Sequence, residues 1–565
     1  MAAIVGGRIE AVAPRRSLFG PDYLRLAALA LVSVAVHAWL IGHTAVTARD
    51  GLGFARYALA IQSPHASVVP WDANRTALDV IKAQEHPPGY PVAIWLTAKF
   101  VRHLTPLPLP DSTLLAAQLV SAIAGVLLVV PTYLLGRMLF GRNVGFAAAL
   151  LFQVLPVPAR ITSDALAEGL YLLVSATALV FGVRAVRRPG VGGFLLCGLT
   201  CGAGYLVRPE GLMAAVAVGV VAAWLGFTRK WPRDLALGRL IALGVGVALV
   251  AGPYMLLIGR LTNKPTPNDL MPNVRGEIIK GGKAQAPTLD RRPVLAVWWQ
   301  IPTDAGPIGV LRPAVVGIVE ETGKGLHYGA AGLALLGLLA LRRRIAVEPG
   351  LAVLIALVGL NVAILLGVGA TGYYARGKHT GYVSERHTVL LVMVGCLFTA
   401  AALQAVVAWV GRGPRMGRLA AAGLLAALVA TALPSTLKPL HQHREGYKHA
   451  GHFLKTEHDA WLAENDARPP EQRELPPGFY DPFEWSAWYS ERTLYTKQLD
   501  VNPNLAYAVW DNTKNRPEDH ERLPGLDQAK DIKKDGQAKP VYWWPEDVPQ
   551  EKAAVHVYKL DTRKK

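Results

Sequence analysis

The sequence predicts an all-α polytopic membrane domain of about eleven transmembrane helices, with interfacial helices in its first outer loop and a small C-terminal α/β extracytoplasmic domain. Three observations predict it. Apolar residues gather into long runs, such as Leu24 to Ile41, Leu114 to Leu135 and Leu351 to Val368; roughly 20 such residues cross a hydrocarbon core. Short segments rich in arginine and lysine separate these runs. From His441 onward the chain turns polar, with many proline and aromatic residues.

Composition supports the same reading. Of the 565 residues, 52% are hydrophobic and 18% charged, with a mean hydropathy of +0.27. A soluble domain carries about 25% charge. The net charge of +18 would suggest nucleic acid in a soluble protein. Here the basic residues sit in short loops beside apolar runs, which is a membrane-topology signal. Nucleic-acid binding is therefore set aside. Cys197, Cys201 and Cys396 lie inside apolar runs without zinc-type partners and are read as packing residues. Arg8, Arg15 and Arg16 precede the first apolar run in the manner of a signal sequence. That run is long for a signal, so an uncleaved anchor is expected.

Basic loops should face the cytoplasm. The clusters are Arg137 with Arg142; Arg184, Arg187 and Arg188; Arg229, Lys230 and Arg233; Arg342 to Arg344; and Arg412, Arg415 and Arg418. The stretch from His86 to Leu104 decides the topology. It is apolar only from Tyr90 to Ala98, then carries Lys99, Arg102 and His103. Counted as a span, it would invert every later cluster, so it is read as a helix in the outer interface. The spans then fall near 23–43, 112–136, 143–158, 165–186, 191–207, 211–227, 236–258, 326–341, 350–369, 388–410 and 418–434. This predicts a cytoplasmic tail (1–22), a membrane domain (23–434) and an outer domain (435–565), in the plasma (inner) membrane. In the outer domain a helix is expected near Glu445 to Glu464, and the alternation at Val555, Val557 and Leu560 predicts a strand. Lys514 to Lys539 reads as a charged loop.

The outer segments concentrate ionisable residues at membrane edges, where charge is costly and often functional. Asp50 follows the first span. Glu85 and His86 open the motif Glu85-His86-Pro87-Pro88-Gly89-Tyr90. Asp164 and Glu168 bracket the start of the fourth span. Arg208-Pro209-Glu210-Gly211 forms a turn between spans, and Glu385-Arg386-His387 precedes the tenth. Plainer roles exist for each. Asp50 and Asp164 suit helix N-caps, Pro87-Pro88 suits a turn, and Arg208 with Glu210 suits a local ion pair.

The order of these motifs resembles the GT-C superfamily of membrane glycosyltransferases, in the branch of protein O-mannosyltransferases and lipid A sugar transferases. In that branch an acidic residue follows the first span, a charged residue precedes Pro-Pro, and a second acidic residue occupies the next outer loop. Asp50, Glu85-His86-Pro87-Pro88 and Asp164 match these in turn. Arg208 to Gly211 matches an Arg-Pro-Glu-Gly turn, and Arg386-His387 an Arg-His pair before a late span. The resemblance covers roughly residues 20–410. Gly51 stands where many members have a second acidic residue, so a divalent metal remains an open question.

The resemblance implies transfer of a sugar from a polyprenyl-phosphate donor to a hydroxyl or phosphate of a lipid, glycan or protein acceptor at the outer face of the membrane. Such a reaction needs a general base for the acceptor hydroxyl and cations for the leaving phosphate. Asp50 is the candidate base, with Asp164 or Glu85 orienting it. Arg208, Arg386, His86 and His387 are the phosphate candidates, with Tyr57, Glu168 and Glu210 as further site residues. The segment 259–325, with Lys264, Arg275, Lys280, Lys283, Arg291, Arg292, Trp298 and Trp299, reads as a lid or as a solvated loop. Phe479, Tyr480, Phe483, Trp485, Trp488 and Tyr489 read as a domain core or as a sugar-stacking platform. A transporter or flippase of lipid-linked sugars is the rival function, disfavoured because the two halves show no matched pair of broken hydrophobic helices and the acidic residues cluster on one side; a membrane sensor is a third, and it leaves the outer motifs unexplained.

Overall fold

The computed structural model describes residues 22–67, 74–188, 190–263, 306–376, 383–409, 414–480, 485–491, 502–511 and 540–561. The segment proposed as a lid falls largely on 264–305, and the charged loop from Lys514 to Lys539 is also outside the described residues.

The helices run in the order α1 (Tyr23–Gly42), α2 (Arg49–Gln62), α3 (Ala77–Ala83), α4 (Gly89–Leu104), α5 (Leu109–Phe140), α6 (Arg142–Val154), α7 (Pro156–Ser163), α8 (Glu168–Arg187) and α9 (Val191–Val207). They continue with α10 (Met213–Phe227), α11 (Arg233–Ile258), α12 (Gly306–Gly325), α13 (Gly329–Ile345), α14 (Pro349–Arg376), α15 (Glu385–Trp409) and α16 (Pro414–Thr436). Among the described residues, eight helices are long and apolar enough to cross a membrane, and ten spans result if two bent pairs each count as one. The chain is thus a multi-pass membrane protein. The expected eleven is not reached by these criteria, because α9 has 17 residues and falls short of the required length.

The first bend has a local cause. The expected straight span 143–158 is instead α6 and α7, turned by 66°. Pro156 follows Leu155, which is extended at φ −73° and ψ 139°, as a residue before proline prefers. The 106° bend between α12 and α13 passes through His327 and Tyr328, both at positive φ. Residues 306–325 are therefore helical rather than loop, a correction to the sequence reading.

α4, read from the sequence as a helix in the outer interface, packs on the bundle by one face. Tyr90, Ile94, Ala98 and Val101 are buried on one face. Leu96, Phe100 and Leu104 are exposed along another, beside Lys99, Arg102 and His103. Pro87 and Pro88 delay its start to Gly89, where Pro88 is the N-cap. A Cβ at Gly89 would sit 2.6 Å from the Leu206 carbonyl oxygen. Glycine is what lets α4 begin against the last turn of α9.

Charge divides the bundle end to end. At one end Asp22 pairs with Arg137 at 2.8 Å and with Arg142 at 3.1 Å, while Arg187 pairs with Glu348 at 3.0 Å. Arg344 donates to the Leu139 carbonyl at 2.7 Å. Clusters from three separate loops thus meet around the end of α5. At the start of α8, the opposite end, stands Glu168.

The C-terminal segment carries α17 (Glu445–Asp466), the short α18 (Trp485–Tyr489) and four strands, β1 (Pro477–Tyr480), β2 (Asn502–Asp511), β3 (Pro540–Trp544) and β4 (Val555–Asp561). Their order is β1-β2-β4-β3; β1 and β2 are parallel and the other pairs antiparallel. The strand expected at Val555 is therefore interior. Trp485, Trp488 and Tyr489 are buried with Tyr447, Leu454, Val555 and Val557 against Val46, Leu52, Leu59 and Leu114. The alternation between polar segment and aromatic run is thus resolved as core, and these three rings are no open sugar platform. Phe483 and the side chains of Phe479 and Tyr480 lie outside the described residues.

Trp485 fastens this segment to the membrane domain. It is 1% exposed, stacks on Tyr447 at 5.7 Å and donates from Nε1 to the Thr47 carbonyl at 2.9 Å. Trp485→Ala is expected to cost about 3–5 kcal/mol and to loosen the C-terminal segment. Thermal melting and limited proteolysis in detergent check this; unchanged protease resistance would contradict it.

Candidate active site

The site is built where α2, α4, α8, α9 and α15 begin or end. Asp164 arranges its entrance. It closes α7 rather than capping α8, whose N-cap is Ala167 without a side-chain bond. Its Oδ1 accepts from the Ala48 amide at 2.9 Å and the Ala165 amide at 2.7 Å, and its Oδ2 bonds His441 Nε2 at 2.8 Å. Ala48, in turn, is the N-cap of α2. Asp50 therefore does not cap α2 but lies in its first turn, where a carboxylate suits the helix dipole.

Asp50 leads into a chain of alternating charges. Its Oδ2 is 2.5 Å from Arg386 Nη1. Arg386 Nε lies 3.5 Å from Glu168 Oε1, and the same oxygen is 2.5 Å from Arg208 Nη1. Arg208 Nε reaches Glu210 Oε2 at 3.5 Å, and the Arg208 guanidinium lies over the Tyr171 ring at 5.7 Å. Exposure grades along this chain. Glu168 is 2% exposed and Arg208 16%, whereas Asp50 is 51% exposed. The inner members are locked, and the outermost carboxylate meets solvent.

Burial pushes the Asp50 carboxyl up, but the charge and hydrogen bond of Arg386, with the nearby charges of His86 and Arg49, outweigh it. The group is held below its ordinary range.

The remaining candidates divide. His387 Nδ1 accepts from the Ser384 amide at 3.1 Å and bonds the Ser384 hydroxyl at 2.9 Å. His86 is exposed, its ring 5.1 Å from Phe54, and close enough to act electrostatically on Asp50. Tyr90 anchors the Pro-Pro-Gly-Tyr motif by donating to the Ala117 carbonyl at 3.0 Å, and its hydroxyl meets Ser121 at 2.9 Å. Glu85 is exposed and joins no ion pair among the described residues. Tyr57 is buried with Ala60, Ile61 and Val80, two helical turns from Asp50 and outside the charge chain. Two contributors were missed. His441 carries no signal apart from its place at the start of the polar segment. Arg160, in the Arg160 to Glu168 motif, donates to the Ser435 carbonyl at 2.6 Å.

The residues present do not form a carboxylate cage for a divalent cation. Among the described residues no three His, Cys, Asp or Glu side chains group as a ligand set. Asp50, Glu168 and Glu210 each face a guanidinium. A Cβ at Gly51 would lie 2.7 Å from the Ala165 Cβ and 3.0 Å from its carbonyl oxygen, so a second acidic residue there would force α2 away from Asp164.

The family described as Dolichyl-phosphate-mannose-protein mannosyltransferase matches residues 85–254. No curated protein matches the sequence significantly. Among solved structures, the oligosaccharyltransferase of Archaeoglobus fulgidus in complex with Zn and sulfate is similar at a TM-score of 0.53 and 15% identity, covering 90% of this chain and 69% of that one. AglB from the same organism, an archaeal oligosaccharyltransferase in complex with an inhibitory peptide and a dolichol-phosphate, aligns at 0.50 and 13%, covering 87% and 69%. ArnT from Cupriavidus metallidurans in the apo state aligns at 0.50 and 14%, covering 96% and 98%.

Glu168→Gln would leave two partly buried guanidiniums without their shared counter-charge. Breaking a buried pair from one side costs about 3–5 kcal/mol. A lowered melting temperature in detergent is the expected result; an unchanged one would show that Glu168 does not hold the cluster.

Proposed function

We propose that this chain, a multi-pass membrane protein with the fold of the GT-C superfamily of glycosyltransferases, transfers a sugar from a polyprenyl-phosphate donor to an acceptor hydroxyl at the outer face of the membrane. The observation that carries the reading is the charge chain from Asp50 through Arg386 and Glu168 to Arg208 at one end of the bundle. The likeness to an oligosaccharyltransferase in complex with a dolichol-phosphate supports a lipid-phosphate donor.

The reaction forms a bond from the acceptor oxygen to the anomeric carbon and breaks the bond from that carbon to the phosphate oxygen. The phosphate leaves with the electron pair. Its negative charge needs fixed cations, and Arg386 and Arg208 are held for that purpose by Glu168. The acceptor proton passes to Asp50, whose half-exposed carboxylate is open to a hydroxyl.

The Asp50–Arg386 pair gives the site a sequence of events. Without donor, Arg386 holds Asp50 ionised and weakly basic. A donor phosphate draws on the same guanidinium, so Asp50 loses part of its counter-charge and becomes the stronger base. Arg386 keeps its place through Glu168. Base strength thus rises once the leaving group is seated. The exposed strip Leu96, Phe100 and Leu104 on α4 offers apolar surface to the polyprenyl chain beside His86.

Asp50→Asn is expected to abolish consumption of labelled polyprenyl-phosphate sugar in detergent, where no sealed compartment exists, with little change in melting. Near wild-type turnover would remove Asp50 from the mechanism, and activity only in sealed vesicles would favour a flippase. Because the Asp50 pKa is depressed in the free enzyme, the carboxylate persists as pH falls until below the ordinary value of about 3.9. The acid limb of kcat/KM assigned to Asp50 should lie there, and Arg386→Gln should move it upward. The pair's contribution to stability is present above the unfolded pKa and is lost as pH falls through the folded one.

We place the charge chain and the C-terminal segment outside the cytoplasm, on the strength of the basic clusters at the opposite end. The native cysteines are buried and Glu471 is exposed. Glu471→Cys should react with an impermeant thiol reagent on intact cells; protection until lysis would reverse the orientation.

A further inference from the structure

We propose that the end of the bundle opposite the charge chain holds a second site, which binds the phosphate of an anionic phospholipid between α10 and α11, with Arg239 as its anchor. α10 starts beside the Arg208 turn and ends at Phe227, so the segment Arg229 to Arg233 and the beginning of α11 lie at the far end. Arg239 stands in the second turn of α11 and is only 8% exposed. Its Nη1 is buried with no hydrogen-bond partner, and among the described residues no carboxylate pairs with it.

An aromatic ring lies beside it. The guanidinium carbon lies 4.3 Å from the Trp231 ring centroid, and Trp231 is fixed by its amide bond to the Leu225 carbonyl at 3.1 Å and by an edge contact with Phe194 at 6.2 Å. Trp231 precedes α11, so the guanidinium lies back toward that helix's N-terminus, as helical side chains do. A ring face attracts a cation but cannot cancel its charge out of water, where cations require a counter-charge.

Three further observations point to an anion. The N-terminus of α11 has Pro232 as N-cap and no side-chain cap, so its first amides are open donors where negative charge is favoured. Lys230, over the Trp224 ring at 4.5 Å, and the exposed Arg229 and Arg233 add positive charge. Cations at a helix N-terminus are unfavourable unless an anion joins them. The acid of this stretch, Asp234, is exposed and pairs with none of them. Elsewhere at this end Asp22 pairs with Arg137 and Arg142, and Glu348 with Arg187.

The flanks indicate a lipid in place of free phosphate. Trp224, Phe227, Leu237 and Ile241 are exposed apolar side chains on the same two helices, placed to meet acyl chains while the basic pocket takes the headgroup.

The test uses the full chain in detergent, reading lipid retention by native mass spectrometry and melting temperature on titration. Wild type should retain phosphatidylglycerol in preference to phosphatidylcholine and melt at higher temperature with it, and millimolar inorganic phosphate should not substitute. Arg239→Gln should weaken phosphatidylglycerol retention by roughly thirty-fold or more. Lys230→Gln and Arg233→Gln, at exposed positions that cannot unfold the bundle, should each weaken it by about five-fold. Equal retention of both lipids by wild type, full retention by Arg239→Gln, full retention by both Lys230→Gln and Arg233→Gln, or equal stabilisation by phosphate alone would overturn the assignment. No readout involves sugar transfer, so this site stands or falls independently of the proposed activity.

Discussion

A carboxylate buried at the end of a helical bundle must be neutralised where it stands, and Glu168 is neutralised twice. Its Oε1 meets Arg208 from the turn after α9 and Arg386 from the start of α15. Neither arginine is near it in sequence; Arg208 lies 40 residues away. The cost of desolvating Glu168 is offset only if both helix ends come to it, so the pairing specifies the arrangement as much as it strengthens it. Every other feature of the site follows. Arg386 is aimed at Asp50, Arg208 is pinned over Tyr171, and two cations remain close together with less mutual repulsion than they would have alone.

Asp164 plays the complementary role for the backbone. Two amides and the imidazole of His441 converge on it, joining the start of α2, the loop before α8 and the C-terminal segment. Because Ala48 is among these donors, Asp164 sets the height at which Asp50 emerges. The resemblance to a glycosyltransferase branch gave both acidic residues a place near the chemistry. The geometry separates them: Asp50 faces solvent and Arg386, whereas Asp164 is 4% exposed and satisfied by structure. Gly51 belongs to the same junction, since the space a side chain there would need is taken by Ala165.

The bundle therefore treats charge differently at its two ends. One end gathers arginines from three loops around a few carboxylates and main-chain carbonyls, which suits a surface facing anionic headgroups. The other alternates acid and base in a short chain that ends in a half-exposed carboxylate. The proposed transfer, with a phosphate leaving group and a hydroxyl losing its proton, would draw on that second arrangement.

How much of this was legible in the sequence follows from what each signal measures. Hydropathy is a property of each residue in turn, so the apolar runs at Leu24, Leu114 and Leu351 announced membrane helices before any packing was known. Charge beside those runs separated the two ends, and the short amphipathic stretch after Pro88 was readable as a helix. Motif order placed Asp50, Arg208 and Arg386 on one side. Partnership was not legible. That Glu168, a secondary candidate, is the hub, and that Asp50 and Arg386 meet across 336 residues, depend on helix ends brought within a few ångströms by packing. The bends at Pro156 and after α12 lie between these cases: proline gave the first a local cause, while the turn through His327 and Tyr328 is fixed only by the helices on either side.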